Sequence, residues 1–464
     1  MQSSVVSNTI SLIISKLIPS ALLVLINIIY SRYLSHADYG LYQILWTYIN
    51  IFIIITTFGL PRYILTFGNL YNYPAKDIIK LSFVVFALTV IPIAIYFIAF
   101  EKNFDFITTI LFLILLISQS LYIIQESNVV SLIANKILVF SNLIYALLLF
   151  IIHMIVLYYG YDLKLCILLI ILVSVIRNSI IKYALVKHVA FSEKIKKQIN
   201  KIQLIWFGLN DTLQIVTKWI DKLLLIAFLP STEYAIYFNG TYEIPLIGIA
   251  LSAFQTIITV QSAKAESTEE KNIELFNTSS IFMAGILFPL FSLCYIYAYD
   301  IITLFYTRSY IESVQLFAIS SLLIPMRICN YTVLLQLKSK GLIILTGSLI
   351  DFFITILLMI ILYPQFRLSG LAMAVVIATY IQAAFYLFKI TRIYNKSLFD
   401  LFDLKKIIPV FLISFVPLLA IKLLLGTQLP GTTFILACII AVVTSIYFVN
   451  KKFDLKDLFF RKIF

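Results

Sequence analysis

Charged side chains are scarce in this 464-residue chain. Asp, Glu, Lys and Arg make up 12% of it, whereas 62% of its residues are hydrophobic and its mean hydropathy is +1.02. An ordinary soluble domain carries about 25% charged residues. Apolar runs of roughly 20 residues, the length of a helix that crosses a bilayer, recur along the whole chain. The composition therefore excludes a soluble multi-domain protein and predicts a polytopic membrane protein.

Residues that bind metals or act as nucleophiles are also few. The chain has four cysteines and three histidines. Cys166, Cys294, Cys329 and Cys438 lie inside apolar runs without CxxC spacing, so they indicate neither a disulfide framework nor a metal site. The sequence contains no GxxxxGK[ST] loop and no HExxH motif. These absences argue against an enzyme, and they predict a protein without a cofactor or a metal.

The apolar runs predict about fourteen transmembrane helices. Membrane-spanning strands are excluded, because the runs are too long and lack the alternation of an outer-membrane barrel. The predicted fold class is therefore an all-α polytopic membrane protein. The predicted spans are 10–31, 41–60, 78–99, 105–125, 136–158, 164–184, 203–229, 237–260, 276–299, 314–337, 341–363, 369–389, 407–425 and 431–449.

Two short polar segments interrupt the apolar runs and are similar to each other. YSRYLSHADYGLYQ at 30–43 returns in altered form as LIAFLPSTEYAIYF at 225–238. Each copy lies between the first and second apolar run of a half-chain, which indicates duplication of a six-helix unit. The predicted domains are an N-terminal six-helix bundle at 1–186, a cytoplasmic amphipathic linker at 187–202, a C-terminal six-helix bundle at 203–392, and two further helices with a basic cytoplasmic tail at 393–464.

Lysine and arginine are distributed unevenly between the loops. Most of the 35 lie in loops that share one side of the membrane with both chain ends. Because loops rich in Lys and Arg stay in the cytoplasm, this bias predicts that both termini are cytoplasmic. The net charge of +13 then reflects topology and contact with anionic membrane lipids, and it does not indicate a nucleic-acid partner.

Five cationic residues lie inside the predicted spans and away from their ends, where a charge costs at least about 2.5 to 3.5 kcal/mol. Such residues normally face a polar cavity or a partner of opposite charge. We therefore take them as candidates for binding an anionic substrate in a cavity. They are Lys16, Arg177, Lys218, Lys222 and Arg327.

The seventh predicted span is the most polar of the set. Its polar residues recur at spacings of three and four, which places them on one face of a helix. This pattern favours a cavity-lining face, with Asn210 and Gln214 among its polar residues. The alternative is a neutralised contact between helices, in which Lys218 pairs with Asp221. The residues of the stripe are Asn210, Asp211, Gln214, Thr217, Lys218, Asp221 and Lys222.

Two motifs near the start of the chain carry a family resemblance. A motif of the form R-x-L-x-x-x-D-Y-G-x-Y runs from Arg32 to Tyr42, and a G-L-P-R motif of the kind that ends a helix lies at 59–62. With them, the chain resembles the bacterial polysaccharide exporters, specifically O-antigen flippases of the Wzx type. These belong to the multidrug, oligosaccharidyl-lipid and polysaccharide (MOP) flippase superfamily. The motif residues are Arg32, Leu34, Asp38, Tyr39, Gly40, Tyr42, Gly59, Leu60, Pro61 and Arg62.

The resemblance implies a fold and an activity. The expected fold is MATE-like, with two parallel six-helix bundles about a central cavity, plus the C-terminal helix pair. The expected activity is movement of undecaprenyl-pyrophosphate-linked oligosaccharide, an O-antigen or related repeat unit, from the cytoplasmic to the periplasmic leaflet of the bacterial inner membrane by alternating access. Membrane lipids, a polysaccharide polymerase and assembly proteins are the expected partners.

One departure from the related lipid II flippases concerns the cavity cations. Those flippases carry several arginines in spans one, two and eight, whereas span one here has only Lys16 and span eight has the acidic Glu243. The anion site then either relies on Arg177, Lys218, Lys222 and Arg327 or lies elsewhere. Two rival functions remain, a multidrug or cation-coupled exporter of the same superfamily and a membrane-embedded polysaccharide polymerase or glycosyltransferase.

The driving force of the expected transport has two alternatives. A pyrophosphate carries roughly two negative charges, and outward transfer across an inside-negative membrane gains about 2.3 kcal/mol per charge per 100 mV. The membrane potential is thus a sufficient source of energy. Alternatively, Asp211, Asp221 or Asp351 couples transport to H⁺ or Na⁺ by binding the ion in one cavity orientation and releasing it in the other.

The charge asymmetry makes the topology testable. Cysteines placed at Ser192 and Lys396 are expected to be shielded from a membrane-impermeant thiol reagent in intact cells, because both positions lie in predicted cytoplasmic segments. A cysteine at Asp162 is expected to react. Labelling at Ser192 from outside would overturn the predicted orientation.

Overall fold

All secondary structure that the computed structural model describes is helical. The described residues are 2–67, 75–131, 135–189, 201–242, 248, 269–338, 340–425 and 430–452. Two short 3-10 turns, at Arg308–Tyr310 and Pro325–Ile328, accompany the α-helices. The α-helices are α1 Gln2–Tyr33, α2 His36–Thr57, α3 Leu60–Phe67, α4 Ala75–Phe100, α5 Phe106–Ser131, α6 Asn135–Tyr158, α7 Leu163–Val189, α8 Lys201–Phe228, α9 Ser231–Thr241, α10 Glu269–Ile296, α11 Ala298–Tyr306, α12 Ser313–Ser321, α13 Tyr331–Leu337, α14 Gly341–Tyr394, α15 Leu398–Leu401, α16 Leu404–Leu425 and α17 Pro430–Lys452.

Within these described ranges, nine helical segments are long and apolar enough to cross a membrane. One of them, α14, holds 54 residues and contains the two predicted spans 341–363 and 369–389. The non-helical backbone of Arg367 (φ 51°, ψ −133°) separates its two halves. Most of the predicted span at 237–260 lies outside the described residues, so the count of fourteen helices stays a prediction.

The predicted span at 314–337 differs from the structure. It consists of α12, a 3-10 turn and α13 instead of one continuous helix. Its interruption coincides with Pro325, which has no backbone N–H to donate inside a helix. A short helix that the sequence did not predict, α3, also follows the sharp corner after α2.

The described contacts divide the chain into two compact units, Met1–Ala235 and Ile236–Phe464. Helix α8, which opens the second half of the internal duplication, groups with the first unit. The bundle boundaries expected from the sequence stay predictions.

The D-Y-G-x-Y motif of the first unit is built into its core. Asp38 lies at the start of α2, where its backbone N–H donates to the Ser35 hydroxyl at 3.1 Å and caps the helix. Tyr39 and Tyr42 are fully buried. A Cβ at Gly40 would overlap the backbone carbonyl of Ser231, which lies in the second copy of the repeat. The two copies therefore pack directly against each other, and only glycine fits at this contact.

Helix α8 packs along α2 and the corner that follows it. The hydroxyl of Thr47 on α2 lies 2.5 Å from that of Tyr234 on α9, the helix that follows α8. At the corner, Gly59 has φ 74° and approaches the backbone of Gly208 so closely that a side chain on Gly59 would overlap it. Small residues allow this close approach of two helix backbones, as is usual inside membranes.

His153 on α6 is a packed, hydrogen-bonded residue of the first unit. It is fully buried, and its Nδ1 lies 2.6 Å from the carbonyl oxygen of Leu149. A carbonyl oxygen only accepts, so Nδ1 carries the proton and Nε2 accepts from the Tyr42 hydroxyl at 3.0 Å. The Tyr30 hydroxyl donates to the His153 backbone carbonyl. His153 thus joins α6 to α1 and α2 through buried hydrogen bonds.

An ion pair ties the first turn of α7 to Asp105, which lies just before α5 begins at Phe106. Lys164 Nζ lies 2.7 Å from Asp105 Oδ2, and the Thr108 hydroxyl and backbone N–H also donate to this carboxylate. The hydrogen bond from Lys164, followed by those from Thr108, lowers the pKa of Asp105 to about 2. The carboxylate therefore stays charged throughout the physiological pH range.

The C-terminal helix pair, α16 and α17, is part of the core of the second unit. Phe411 and Phe415 of α16 stack with Phe291 of α10, and their ring centroids lie 6.3 and 6.2 Å from it. Lys422 at the end of α16 pairs with Asp300 of α11 at 2.5 Å. Aromatic packing in the middle and an ion pair at the end fix α16 on the unit.

The contact at Gly40 gives a stability prediction. Gly40→Ala is expected to destabilise the protein by roughly 1–3 kcal/mol, because the added methyl group meets a backbone carbonyl that cannot rotate away. Thermal unfolding of the purified protein in detergent measures the effect. Gly341→Ala is the matched control, since a Cβ there meets open space. Equal unfolding temperatures for the two variants would contradict this packing.

Candidate functional site

Two residues of the polar stripe on α8 are exposed, whereas Asp221 of the same stripe is buried. Gln214 and Lys218 are exposed and Asn210 is half-buried, with Gln214 Nε2 donating to Asn210 Oδ1 at 3.1 Å. Leu204 and Leu225 on the same helix are buried instead. Because exposed amide and ammonium groups are costly in hydrocarbon, this face requires water or a polar ligand. It is the main candidate for a substrate-binding surface.

Asp211 forms an ion pair that the sequence did not reveal. Arg62 of the G-L-P-R helix end donates from Nη1 to Asp211 Oδ1 at 2.7 Å. The Asp211 side chain is 22% exposed and that of Arg62 is 46% exposed. The motif arginine thus holds α3 against α8. No local spacing in the sequence connects two residues so far apart in the chain.

Asp221 is neutralised by its neighbour in the chain. Lys222 Nζ lies 2.9 Å from Asp221 Oδ2, and both side chains are buried. The alternative drawn from the sequence paired Asp221 with Lys218 one turn away. The structure shows the Lys222 ammonium beside Asp221, and the pairing of Asp221 with Lys218 stays a prediction.

Arg177 lies inside an aromatic cage formed by α5, α6 and α7. Its guanidinium is 3.5 Å from the ring centroid of Tyr122 and 3.7 Å from that of Tyr145, a geometry suited to cation–π attraction. Nη2 donates to Gln119 Oε1 at 2.6 Å. Arg177 is 5% exposed. The sequence placed Arg177 inside a span, but it gave no signal that two tyrosines would enclose it.

Gln119 joins the members of this cage to one another. Its Nε2 donates to the Tyr145 hydroxyl at 3.0 Å and to Ser174 Oγ at 2.9 Å. The Tyr122 hydroxyl in turn donates to Asn142 Oδ1 at 2.9 Å. The network spans all three helices, so it accounts for a charge buried inside the bundle without a salt bridge among the described residues.

Arg327 and Asp351 lie in the second unit. Arg327 is half-buried in the 3-10 turn that separates α12 from α13. Asp351 is in the first half of α14, and its Oδ1 is buried without a hydrogen-bond partner in the described structure. A carboxylate in such a place is a functional candidate, because it would otherwise be costly at membrane depth.

Several predicted features lie outside the described structure. The side chain of Lys16 is one, since described side chains begin at residue 17. Most of the predicted linker at 187–202 and the basic tail from residue 453 onward are others. In the remaining, described part, no group of His, Cys, Asp and Glu is arranged to hold a metal ion.

Comparisons with known proteins give a family and a fold. The family described as polysaccharide biosynthesis protein matches residues 5–260. A structure of the lipid II flippase MurJ in an inward closed conformation is similar over 97% of this chain and 98% of its own, with a TM-score of 0.67 and 14% identity. A MATE structure in complex with MaL6 is similar over 84% of this chain and 96% of its own, with a TM-score of 0.58 and 14% identity. A search of curated proteins finds no match.

At this low identity, the structural similarity shows the fold alone. Both similar structures are of the type that the sequence predicted, so the all-α, MATE-like fold class is confirmed. The similarity to MurJ extends over nearly the whole chain, including the C-terminal helix pair.

The exposed face of α8 gives an accessibility prediction. Single cysteines at Gln214 and Lys218 are expected to react with a small charged thiol reagent, because such reagents attack only thiols that water reaches. Cysteines at the buried positions Leu204 and Leu225 are the controls and are expected to stay protected. Protection of all four positions would show that lipid or another helix covers the polar face.

Proposed function

Because the chain belongs to the polysaccharide biosynthesis protein family, we propose that it is a flippase for a lipid-linked oligosaccharide. Its substrate would be undecaprenyl-pyrophosphate carrying an O-antigen or related repeat unit. The direction would be from the cytoplasmic to the periplasmic leaflet of the bacterial inner membrane, by alternating access. Similarity to the lipid II flippase fold supports transport of a lipid-linked sugar.

The exposed, cationic face of α8 is the observation that carries this proposal. Lys218 stands there beside Gln214 and Asn210, so the face offers one positive charge and several hydrogen-bond donors. Phosphate oxygens accept such charge-assisted hydrogen bonds, and sugar hydroxyls pair with amide groups. An anionic head group with sugars attached matches this combination.

Two of the candidate cations are surrounded by groups of the protein. Arg177 is enclosed by two tyrosine rings, and Lys222 is paired with Asp221. Their surroundings favour roles inside the protein. Lys218, Arg327 and Lys16 are the cations proposed to contact the pyrophosphate.

We also propose that the membrane potential drives this transport. Outward movement of the charged head group follows the membrane potential without any further ion. If an ion is coupled, Asp351 is the favoured carboxylate, because its Oδ1 has no hydrogen-bond partner among the described residues, whereas Asp211 and Asp221 are paired with Arg62 and Lys222.

A multidrug exporter for cations is the second candidate. Such a protein would be expected to present unpaired acidic groups to its ligand. The described part of α8 instead presents Lys218, while its two aspartates are paired with basic side chains. This observation favours the anionic substrate over the cationic one.

Charge removal at the two proposed contacts tests the function. Lys218→Gln and Arg327→Gln are each expected to lower surface polysaccharide at least about tenfold in a deletion strain, since a hydrogen bond to a charged group contributes about 1.5–3 kcal/mol. Lys218→Arg is the conservative control and is expected to retain transport. Full transport by a stable double variant would contradict the proposed anion site.

Arg177 gives the matched comparison for this test. Arg177→Gln is expected to lower the unfolding temperature of the purified protein, because the tyrosine cage loses its cation and Gln119 loses a donor. Lys218→Gln, on an exposed face, is expected to leave that temperature unchanged. An Arg177→Gln variant with normal stability but no transport would indicate instead that Arg177 contacts the substrate.

A further inference from the structure

The membrane-spanning segment that carries Arg327 contains an unusual break. Helix α12 ends at Ser321 and α13 begins at Tyr331. Between them the chain forms a 3-10 turn at Pro325–Ile328 and then an extended residue, Cys329, with φ −133° and ψ 155°. In hydrocarbon, backbone groups that such a break sets free must find other partners.

Pro325 leaves one backbone carbonyl without its usual N–H donor. In a 3-10 turn, each carbonyl accepts from the N–H three residues further on, so the carbonyl of Leu322 would take the N–H of residue 325. Proline has no such group. Bonds of this spacing exist on both sides, from Ile324 N to Ser321 O at 2.9 Å and from Arg327 N to Ile324 O at 3.0 Å. The proline therefore interrupts the ladder at Leu322.

Tyr380 on α14 supplies a donor at this position. Its hydroxyl donates to the carbonyl oxygen of Leu322 at 3.0 Å. The ring is 40% exposed and lines an apolar groove of about 430 Å³ beside the break. Tyrosine is the one member of the groove lining with a side chain that forms hydrogen bonds. The groove is lined by Leu322, Val376, Ile377, Tyr380, Ile381 and Ala384.

We propose that Tyr380 is a positioning residue, whose hydroxyl holds the break open so that Arg327 stays at mid-span for the substrate head group. The proposal rests on the proposed function, in which Arg327 contacts the pyrophosphate. Arg327 lies within the turn, five residues after Leu322, so a change in the turn moves its backbone. Without the hydroxyl, the break loses the cross-helix bond that fixes its geometry.

Cys329 reports the geometry of the break independently of transport. It lies at the end of the break and is buried. In a protein whose other three cysteines are replaced by alanine, Tyr380→Phe is expected to raise the rate of Cys329 labelling by N-ethylmaleimide about threefold. That factor corresponds to the average hydrogen bond between transmembrane helices.

Tyr386→Phe is the matched control on the same helix. The Tyr386 hydroxyl also donates to a backbone carbonyl, that of Ile344, at 2.8 Å. Ile344 lies inside the continuous first half of α14, where its carbonyl keeps a helical partner. Removing this hydroxyl is therefore expected to leave the labelling rate of Cys329 unchanged.

A double-mutant cycle with Pro325→Ala isolates the hydrogen bond. Alanine returns an N–H at position 325, which gives the Leu322 carbonyl a backbone partner. The effect of Tyr380→Phe on Cys329 labelling is then expected to disappear in the Pro325→Ala background. If Tyr380→Phe accelerates labelling equally in both backgrounds, or in neither, the hydroxyl does not hold the break and the proposal is wrong.

Transport separates this proposal from the proposed function. Tyr380→Phe is expected to reduce surface polysaccharide severalfold at normal protein abundance, and Tyr386→Phe is expected to leave it unchanged. Full transport by Tyr380→Phe, despite faster labelling of Cys329, would overturn the positioning of Arg327. Full transport by Arg327→Gln would show that Arg327 does not contact the head group and that Tyr380 has no role in positioning it. The Cys329 labelling cycle would still decide whether the Tyr380 hydroxyl holds the break.

Discussion

The hydrocarbon core of a bilayer offers no partner to a charge or a free backbone carbonyl, and this constraint organises the described structure. The charge of Arg177 is stabilised by two tyrosine rings and by a hydrogen bond to Gln119. Asp211 and Asp221 form ion pairs with Arg62 and Lys222. Gln214 and Lys218 are exposed on α8, and Asp351 Oδ1 has no hydrogen-bond partner among the described residues. These positions are therefore the candidates for contact with water or a ligand.

The same constraint explains the glycines of the first unit. Helices in a membrane gain little from hydrophobic burial against each other, so their association depends on close packing and on hydrogen bonds. Gly40 packs against Ser231 of α9, and Gly59 packs against Gly208 of α8. The pairs Thr47–Tyr234 and Arg62–Asp211 add polar contacts to α9 and α8. The family motifs thus fasten α8 and α9 to the corner formed by α2 and α3.

Local sequence patterns predicted only part of this arrangement. Composition and run length indicated a helical membrane protein, and the spacing of Gln214 and Lys218 placed them on one exposed face. The partners of Arg62 and Arg177 escaped prediction, because contacts between residues distant in the chain leave no periodic signal. A proline such as Pro325 does not by itself show whether a helix bends or separates into two. That distinction depends on Tyr380, which belongs to another helix and supplies the missing donor.

The central claim is that this chain moves an anionic, lipid-linked sugar across a membrane. The most direct test reconstitutes the purified protein in liposomes with a fluorescent polyprenyl-pyrophosphate disaccharide and follows its exposure in the outer leaflet with a membrane-impermeant quencher. A flippase for this substrate is expected to move the fluorescent lipid to the outer leaflet faster than it moves in protein-free vesicles. The rate is expected to rise further when the vesicle interior is made negative, because the moving head group carries negative charge. Translocation no faster than in protein-free vesicles would contradict the account.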